Sequence, residues 1–446
     1  MLGFNILFLL IYVCFYIYIY KKYPVLMIIF FYLFYGYLSM VISCFYLDFG
    51  NVYAFEVERT SIQSNGVILL GFFYLSSFLL FLFCYKRIEI SLMRSFSLIK
   101  FQKRIYLNPA FILGSLWFAF FFILIIYVHL FYSGVPLLLG YGKGQFWSYA
   151  RFPFFNALHN QTSTVLVVLG FLYGYIKEFK YSDTAYTRYL KYFKFLLYIY
   201  IMYIVLMGYK FGGPLLYLFS FYLSTLVFFS LRCKLKLRVL LKYLTLALAF
   251  FTPVIWYIYE NIYGFNGAVG QIIFDRVFAL QGQLWHFIYN DVNLGIIQPN
   301  MDQLVVEIKY AFLGEDIRNV GINHLMQFIM PEERLNSYYS NSVRLSGGYP
   351  AYWLVIFNNY AVILLCHFLF SWLVFFFHYK FLYHLINLNL IKFIIWFKLA
   401  MILKAFALMG DLHPILSGKT VFYLVLLLAI YLFEEGVRIK NIRITR

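Results

Sequence analysis

Residues 67–85 and 110–132 contain no Asp, Glu, Lys or Arg, and a helix needs about 20 such residues to cross about 30 Å of hydrocarbon. Residues 421–433, with the turn before them, form another run of this kind. Only 12% of the chain is charged and 64% is hydrophobic, so there is too little polar surface to cover a soluble globule of 53.2 kDa. Lipid is therefore the expected solvent. Ten-residue alternating segments are absent, which argues against a barrel and for an all-α polytopic integral membrane protein.

Residues 1–20 are apolar and precede Lys21-Lys22, with no basic region before them and no small-residue cleavage site after them. They are expected to form an uncleaved first span. The five cysteines, Cys14, Cys44, Cys84, Cys233 and Cys366, fall in or beside apolar runs, a distribution that argues for neither a disulfide framework nor a zinc site.

The net charge of +18 comes from short clusters between apolar runs, not from a basic stripe that would suit nucleic acid. The clusters are Lys21-Lys22 and residues 86–104, 177–194, 232–242, 380–392 and 438–446. Placing all of them on the cytoplasmic side satisfies the positive-inside bias. About eleven spans result, near 2–20, 25–47, 67–85, 110–132, 161–176, 195–209, 214–231, 243–262, 350–377, 393–409 and 414–433. The N-terminus then lies outside and the C-terminus inside.

One domain, 1–446, is expected, carrying a large outer loop at 261–349 and a smaller one at 134–161. The large loop is predicted to be helical. Val269, Ile273, Val277, Leu280, Leu284 and Ile288 follow helical spacing, as do Leu304, Val305, Ile308, Ala311 and Phe312. Asn300 or Asp302 can cap the second of these helices. A third, from Asn323 to Met330, is ended by Pro331. Such helices are expected to lie against the membrane surface and roof a cavity between spans.

The outer face carries Arg59, Lys143, Arg151, Lys210, Arg276, Arg318, Arg334 and Arg344, although no orientation rule asks for cations there. Arginine's rigid fork of donors matches phosphate, so two or three of these residues are expected to form an anion site. Lys398 and Lys404 fall within the tenth span and Lys419 opens the eleventh. Snorkelling accounts for Lys419, whereas Lys398 near mid-span is expected to face a cavity. Bases available on the same face are Asp48, Glu56, Glu58, His159, Glu260, Asp275, His286, Glu307, His324 and His413, and the sequence does not choose among them. His129 and His367, within apolar spans, are expected to hydrogen-bond neighbouring helices. No Walker loop, dinucleotide fingerprint, zincin motif or nucleophile elbow occurs. Any chemistry would use an already activated substrate.

The layout resembles the O-antigen polymerases, membrane glycosyltransferases that extend lipid-linked polysaccharide on the periplasmic face. Gly134-Val135-Pro136-Leu137-Leu138 followed by Arg151 is similar to a family loop that opens on a Pro-Leu turn and carries an essential arginine. Phe328-Ile329-Met330-Pro331-Glu332-Glu333-Arg334 resembles its aromatic and proline element. Ser346-Gly347-Gly348-Tyr349, running on to Asn358-Asn359-Tyr360, resembles its glycine-rich entry to the next span. The acidic residue and second glycine usual in that stretch are absent here, as is the arginine-and-glycine motif of some members. His159-Asn160, with Gly170 and Tyr173, is also similar to a motif of the related O-antigen ligases.

The resemblance implies an inner-membrane Wzy-type enzyme that moves a growing glycan from undecaprenyl pyrophosphate onto an incoming lipid-linked repeat unit. It implies no cofactor or metal, and a chain-length regulator as partner. Catalytic roles are expected for Arg151, Arg276 and Arg344, with His324 or His159 as base, and substrate contacts for Lys210, Arg318, Arg334 and Lys398. Rival readings are a lipid-linked oligosaccharide flippase, an O-antigen ligase, and an acyl or phospho-group transferase using lipid donors.

Overall fold

The computed structural model describes residues 2–98, 108–140, 146–147, 149–152, 154–179, 184–209, 212–232, 269–314, 317–340, 345 and 347–444, with a few positions between 245 and 260. The expected span at 243–262 lies largely outside these. The described residues are almost wholly helical. The first part of the chain holds α1 (Leu2–Lys22), α2 (Pro24–Ile29), α3 (Phe31–Leu47), α4 (Gly66–Leu98), α5 (Pro109–Ser133) and α6 (Pro136–Leu139). Next come α7 (Phe155–His159), α8 (Thr162–Phe179), α9 (Thr184–Leu206) and α10 (Gly212–Arg232). The long loop holds α11 (Val269–Phe278), α12 (Leu280–Asn293), α13 (Asp302–Leu313), α14 (Gly321–Ile329) and α15 (Glu332–Ser340). The chain continues through α16 (Ala351–Ile356), α17 (Tyr360–Ile386), α18 (Leu390–Met409), α19 (His413–Leu416) and α20 (Gly418–Ile444). A two-residue hairpin pairs Tyr53 with Thr60 and Ala54 with Arg59. Among the described residues, six helical segments are long and apolar enough to cross a membrane: Gly3–Lys22, Gly66–Leu98, Pro109–Leu139, Tyr186–Leu206, Gly213–Arg232 and Tyr360–Ile386.

Aromatic side chains at helical spacing join the first helices. Phe30, Phe34 and Tyr37 stack on Phe81, Phe78 and Tyr74 with centroids 4.3, 4.1 and 3.8 Å apart. The descending order of the second set means that α3 and α4 run antiparallel. Each such pair adds about 0.5–1.5 kcal/mol beyond its buried area. Within this core the hydrogen-bonding expected of His367 is present: Nδ1 meets the Tyr349 hydroxyl at 2.6 Å, and Nε2 meets Ser76 and Ser77, each at 3.1 Å.

Two expectations are corrected. The span placed at 350–377 is not one helix. Phe357 is extended, Asn359 accepts a hydrogen bond from Ala361 N at 2.8 Å, and the long helix starts at Tyr360. Asn359 is thus an N-cap, and its side chain supplies the acceptor that the first turn lacks. The apolar pattern at 269–288 is likewise split, at Ala279. Its second half, α12, does not lie on a surface: Leu284, Trp285, His286, Phe287 and Ile288 are buried against α3, α4, α14 and α16. Gly282 permits this, because a Cβ there would sit 2.4 Å from the backbone nitrogen of Cys44. Ser43 completes the joint, donating to Ala279 O and accepting from Gly282 N.

Two carboxylates hold α14, one from the neighbouring loop helix α13 and one from the turn after α18. Glu307 is fully buried and accepts from Gly321 N, while Asp411 accepts from Ile322 N at 2.9 Å, so both cap α14. Burial raises the Glu307 carboxyl to about 7; the Gly321 hydrogen bond opposes this and the Asp411 charge adds to it. The folded state therefore keeps a proton that the unfolded chain releases near its ordinary value of 4.5. The stability this group contributes is full below that value and is lost as pH rises through about 7, a change on the order of 2–3 kcal/mol. Glu307→Gln retains an acceptor for Gly321 N. Its melting temperature in detergent is expected to fall less than that of the wild type between about pH 5 and about pH 8. Parallel pH profiles would contradict the assignment.

Candidate functional site

Two polar clusters occupy the end of the bundle that carries the long loop. The first is centred on Asp48, which is 1% exposed. Ser64 Oγ and His286 Nδ1 donate to its Oδ1 at 2.6 and 2.7 Å, and Val67 N donates to Oδ2 at 2.7 Å. Trp285 Nε1 donates to Gly66 O at 2.9 Å, and Arg59 forms a bidentate pair with Asp291 at 2.7 and 2.8 Å. Cys44, Asp48 and His286 present ligand atoms within 4.8 Å of one another, a spacing that suits a metal ion. The Asp48 oxygens already serve three donors, however, so the hydrogen bonding accounts for the trio as the joint between α3, α4 and α12.

The second cluster lies at the corner between α7 and α8. Arg151 is exposed, its guanidinium 4.8 Å from the Tyr132 ring centroid. Its peptide is held on both sides, with N–H donating to Ser133 Oγ at 3.1 Å and the carbonyl accepting from His129 Nε2. A carbonyl can only accept, so with one proton per ring His129 carries it on Nε2 and its Nδ1 is the acceptor. The proton between the two imidazoles is then on His159 Nε2, which donates to His129 Nδ1 across 2.8 Å. His159 Nδ1 accepts in turn from the Tyr203 hydroxyl. Burial, and then His129, lowers the pKa of His159 to about 4, which keeps the ring neutral at neutral pH. Both nitrogens of His159 are thus occupied, and the ring acts to hold Arg151 in place.

Two residues beyond His159, Gln161 Oε1 faces Lys398 Nζ at 3.5 Å. Lys398 is partly buried against α8, and Lys419 lies close enough to act on it electrostatically. The corner therefore connects the Arg151 peptide on one side, through His129 and His159, with Lys398 on the other, through Gln161, and Lys419 lies close to Lys398; cations placed this way can stabilise an anion developing at the edge of an apolar region.

The other expected site residues are distributed differently. Arg334 pairs with Glu58 at 2.7 Å and covers the Phe55 ring, so part of its charge is compensated. Glu56 accepts from Tyr338, which fastens the first loop to α15. Arg318 lies over Tyr339 with 5.5 Å to the ring centroid. His324 sits on α14 beside Phe328; burial lowers its pKa to about 4, opposed by a hydrogen bond with Gln327. Lys143, Lys210 and Arg344 lie outside the described residues, as does the side chain of Arg276. Gln161, Ser133 and Tyr203 were not expected: Tyr203 is one of 44 tyrosines, and nothing in the sequence marks it out.

Residues 315–424 match DUF6418, a family of unknown function. The matched segment carries His324, Lys398 and Asp411 but neither Arg151 nor His159. No curated protein and no solved structure matches the chain.

Proposed function

We propose that this chain is a polytopic inner-membrane protein of about eleven spans that polymerises undecaprenyl-pyrophosphate-linked O-antigen repeat units at its periplasmic, long-loop end. The observation that carries the reading is that the α7–α8 corner ties the Arg151 peptide, through His129 and His159, and contacts Lys398 through Gln161, with Lys419 close to Lys398. In the reaction, the bond from the anomeric carbon to the pyrophosphate oxygen breaks, and a bond to an acceptor sugar hydroxyl forms. The departing pyrophosphate gains negative charge, which Arg151 and the two lysines offset. The acceptor proton goes to a base. His324 is proposed for that role; its ring is neutral at neutral pH, and a pKa of about 4 makes it a weak base. His129, His159 and Tyr203 position Arg151.

Arg318 and Arg334 lie on the loop helices, where they suit contacts with the glycan. Arg276, Arg344 and Lys210 complete the proposed set of cations. A chain-length regulator is the expected protein partner. One observation favours a second reading, that of O-antigen ligase: His159-Asn160 ends α7 at the boundary with α8, the loop-to-helix position of the ligase motif.

Arg151→Ala is expected to abolish polymerisation while the protein stays in the membrane, since its side chain is exposed, with one ring contact to Tyr132, and its hydrogen bonds to Ser133 and His129 come from the backbone. The readout is the length ladder of surface polysaccharide alongside the amount of membrane-extracted protein. Normal long chains from this variant would remove Arg151 from the site. The same experiment on Tyr203→Phe, which leaves His159 Nδ1 without its donor, is expected to give shortened chains rather than none.

A further inference from the structure

At the end of the bundle away from the long loop, the end of α1, the start of α2, the distal part of α4 and the end of α10 surround a cavity of about 180 Å³. Its lining includes Lys21, Lys22, Tyr23, Tyr85, Glu89 and Arg232. Basic residues that are far apart in the sequence meet here. Lys22 Nζ and Lys86 Nζ lie 5.9 and 5.7 Å from the centroid of the same Tyr23 ring, so two like charges share one aromatic platform. Arg232 is fixed in the wall by Glu178 at 2.7 Å and packs over Phe179. Lys21 and Lys22 in the lining outnumber the Glu89 carboxylate, which leaves a net positive concavity, and Lys86 adds charge beside it across the Tyr23 ring. Beside it, Ile17, Tyr18, Phe83, Ile90 and Met93 are exposed, giving α1 and α4 apolar outer faces that continue from the cavity.

A basic hollow at the end of membrane helices, continuous with apolar flanks, matches a phosphate joined to acyl chains. We propose that this cavity binds the phosphate headgroup of an anionic membrane lipid, with its acyl chains along α1 and α4. The site is independent of the glycan chemistry at the other end. Orientation bias alone asks for basic residues on this side but not for their convergence on one cavity.

The test is native mass spectrometry of the full chain in a neutral detergent, with phosphatidylglycerol, phosphatidylcholine or inorganic phosphate added. The wild type is expected to retain phosphatidylglycerol in preference to phosphatidylcholine. Lys21→Gln/Lys22→Gln is expected to lose that retention roughly tenfold or more, whereas Lys309→Gln on α13 leaves it unchanged. If the double variant does not fold, Lys86→Gln takes its place, with a smaller loss expected. Equal retention by wild type and variant, or equal retention of the two lipids, would overturn the proposal. So would inorganic phosphate binding as tightly as phosphatidylglycerol, which would assign the cavity to a free anion.

Discussion

Gly170→Val is expected to leave almost no folded protein after detergent extraction. The α8 and α10 backbones come close at Gly170, where an added Cβ would lie 2.2 Å from Phe221 O and within 2.8 Å of two more backbone atoms. No rotamer change relieves a collision with a carbonyl. One turn on, a Cβ on Gly174 would meet Ser224 Cβ at 2.8 Å and Thr225 N at 2.9 Å. The two glycines form the small-xxx-small face through which helices in lipid pack closely. Any larger residue forces the helices apart along their shared length, at a cost beyond the roughly 1–3 kcal/mol of ordinary overpacking. Stability totals only about 5–15 kcal/mol for a typical protein, so the loss is expected to be decisive. Gly114→Val is the control, because nothing lies within 4 Å of a Cβ there. The yield of monodisperse protein and its melting temperature provide the check. A Gly170→Val protein that melts with the wild type would refute the close approach.

Asp48→Asn is the second substitution of large effect, although it changes shape hardly at all. The carboxylate offers two acceptor oxygens to three donors: Ser64 Oγ and His286 Nδ1 at Oδ1, and Val67 N at Oδ2. An amide has one oxygen. Whichever way it turns, its NH2 group faces a donor, and at least one buried donor loses its partner. Leaving a buried donor without its acceptor costs about 1–3 kcal/mol. The loss should appear as a lower melting temperature, and Asp48→Ala should be non-additive with His286→Ala because the two residues share a single joint. Additive effects would mean that the two side chains contribute separately.

The apolar runs were legible because their lengths are set by the thickness of a bilayer, and α4, α5 and α20 contain the runs at 67–85, 110–132 and 421–433. The break before α17 was also written in the sequence, as Asn358-Asn359, but an N-cap was harder to see inside a stretch that was apolar on both sides. The burial of α12 was not legible. An amphipathic helix on a membrane and one inserted into a bundle show the same periodicity, and what separates them here is the contact of Gly282 with the α3 backbone, a tertiary fact. The same holds at the candidate site. Arg151, His159 and Lys398 could be named from residue type and place. The bonds that tie the Arg151 peptide to His129 and His159, and Lys398 to Gln161, depend on the helix corner at Asn160 and Gln161 and on Tyr203, which no motif marks. The pairing of Arg334 with Glu58, distant in sequence, is likewise a tertiary fact that residue type does not carry.

The most direct measurement is a gel profile of surface polysaccharide from cells in which the gene is deleted and then restored. The proposed polymerase predicts collapse of the ladder to core plus one repeat unit on deletion, because export and ligation still operate, and recovery of long chains on restoration. Loss of every repeat unit would favour a ligase or flippase, and an unchanged ladder would contradict the glycan reading altogether.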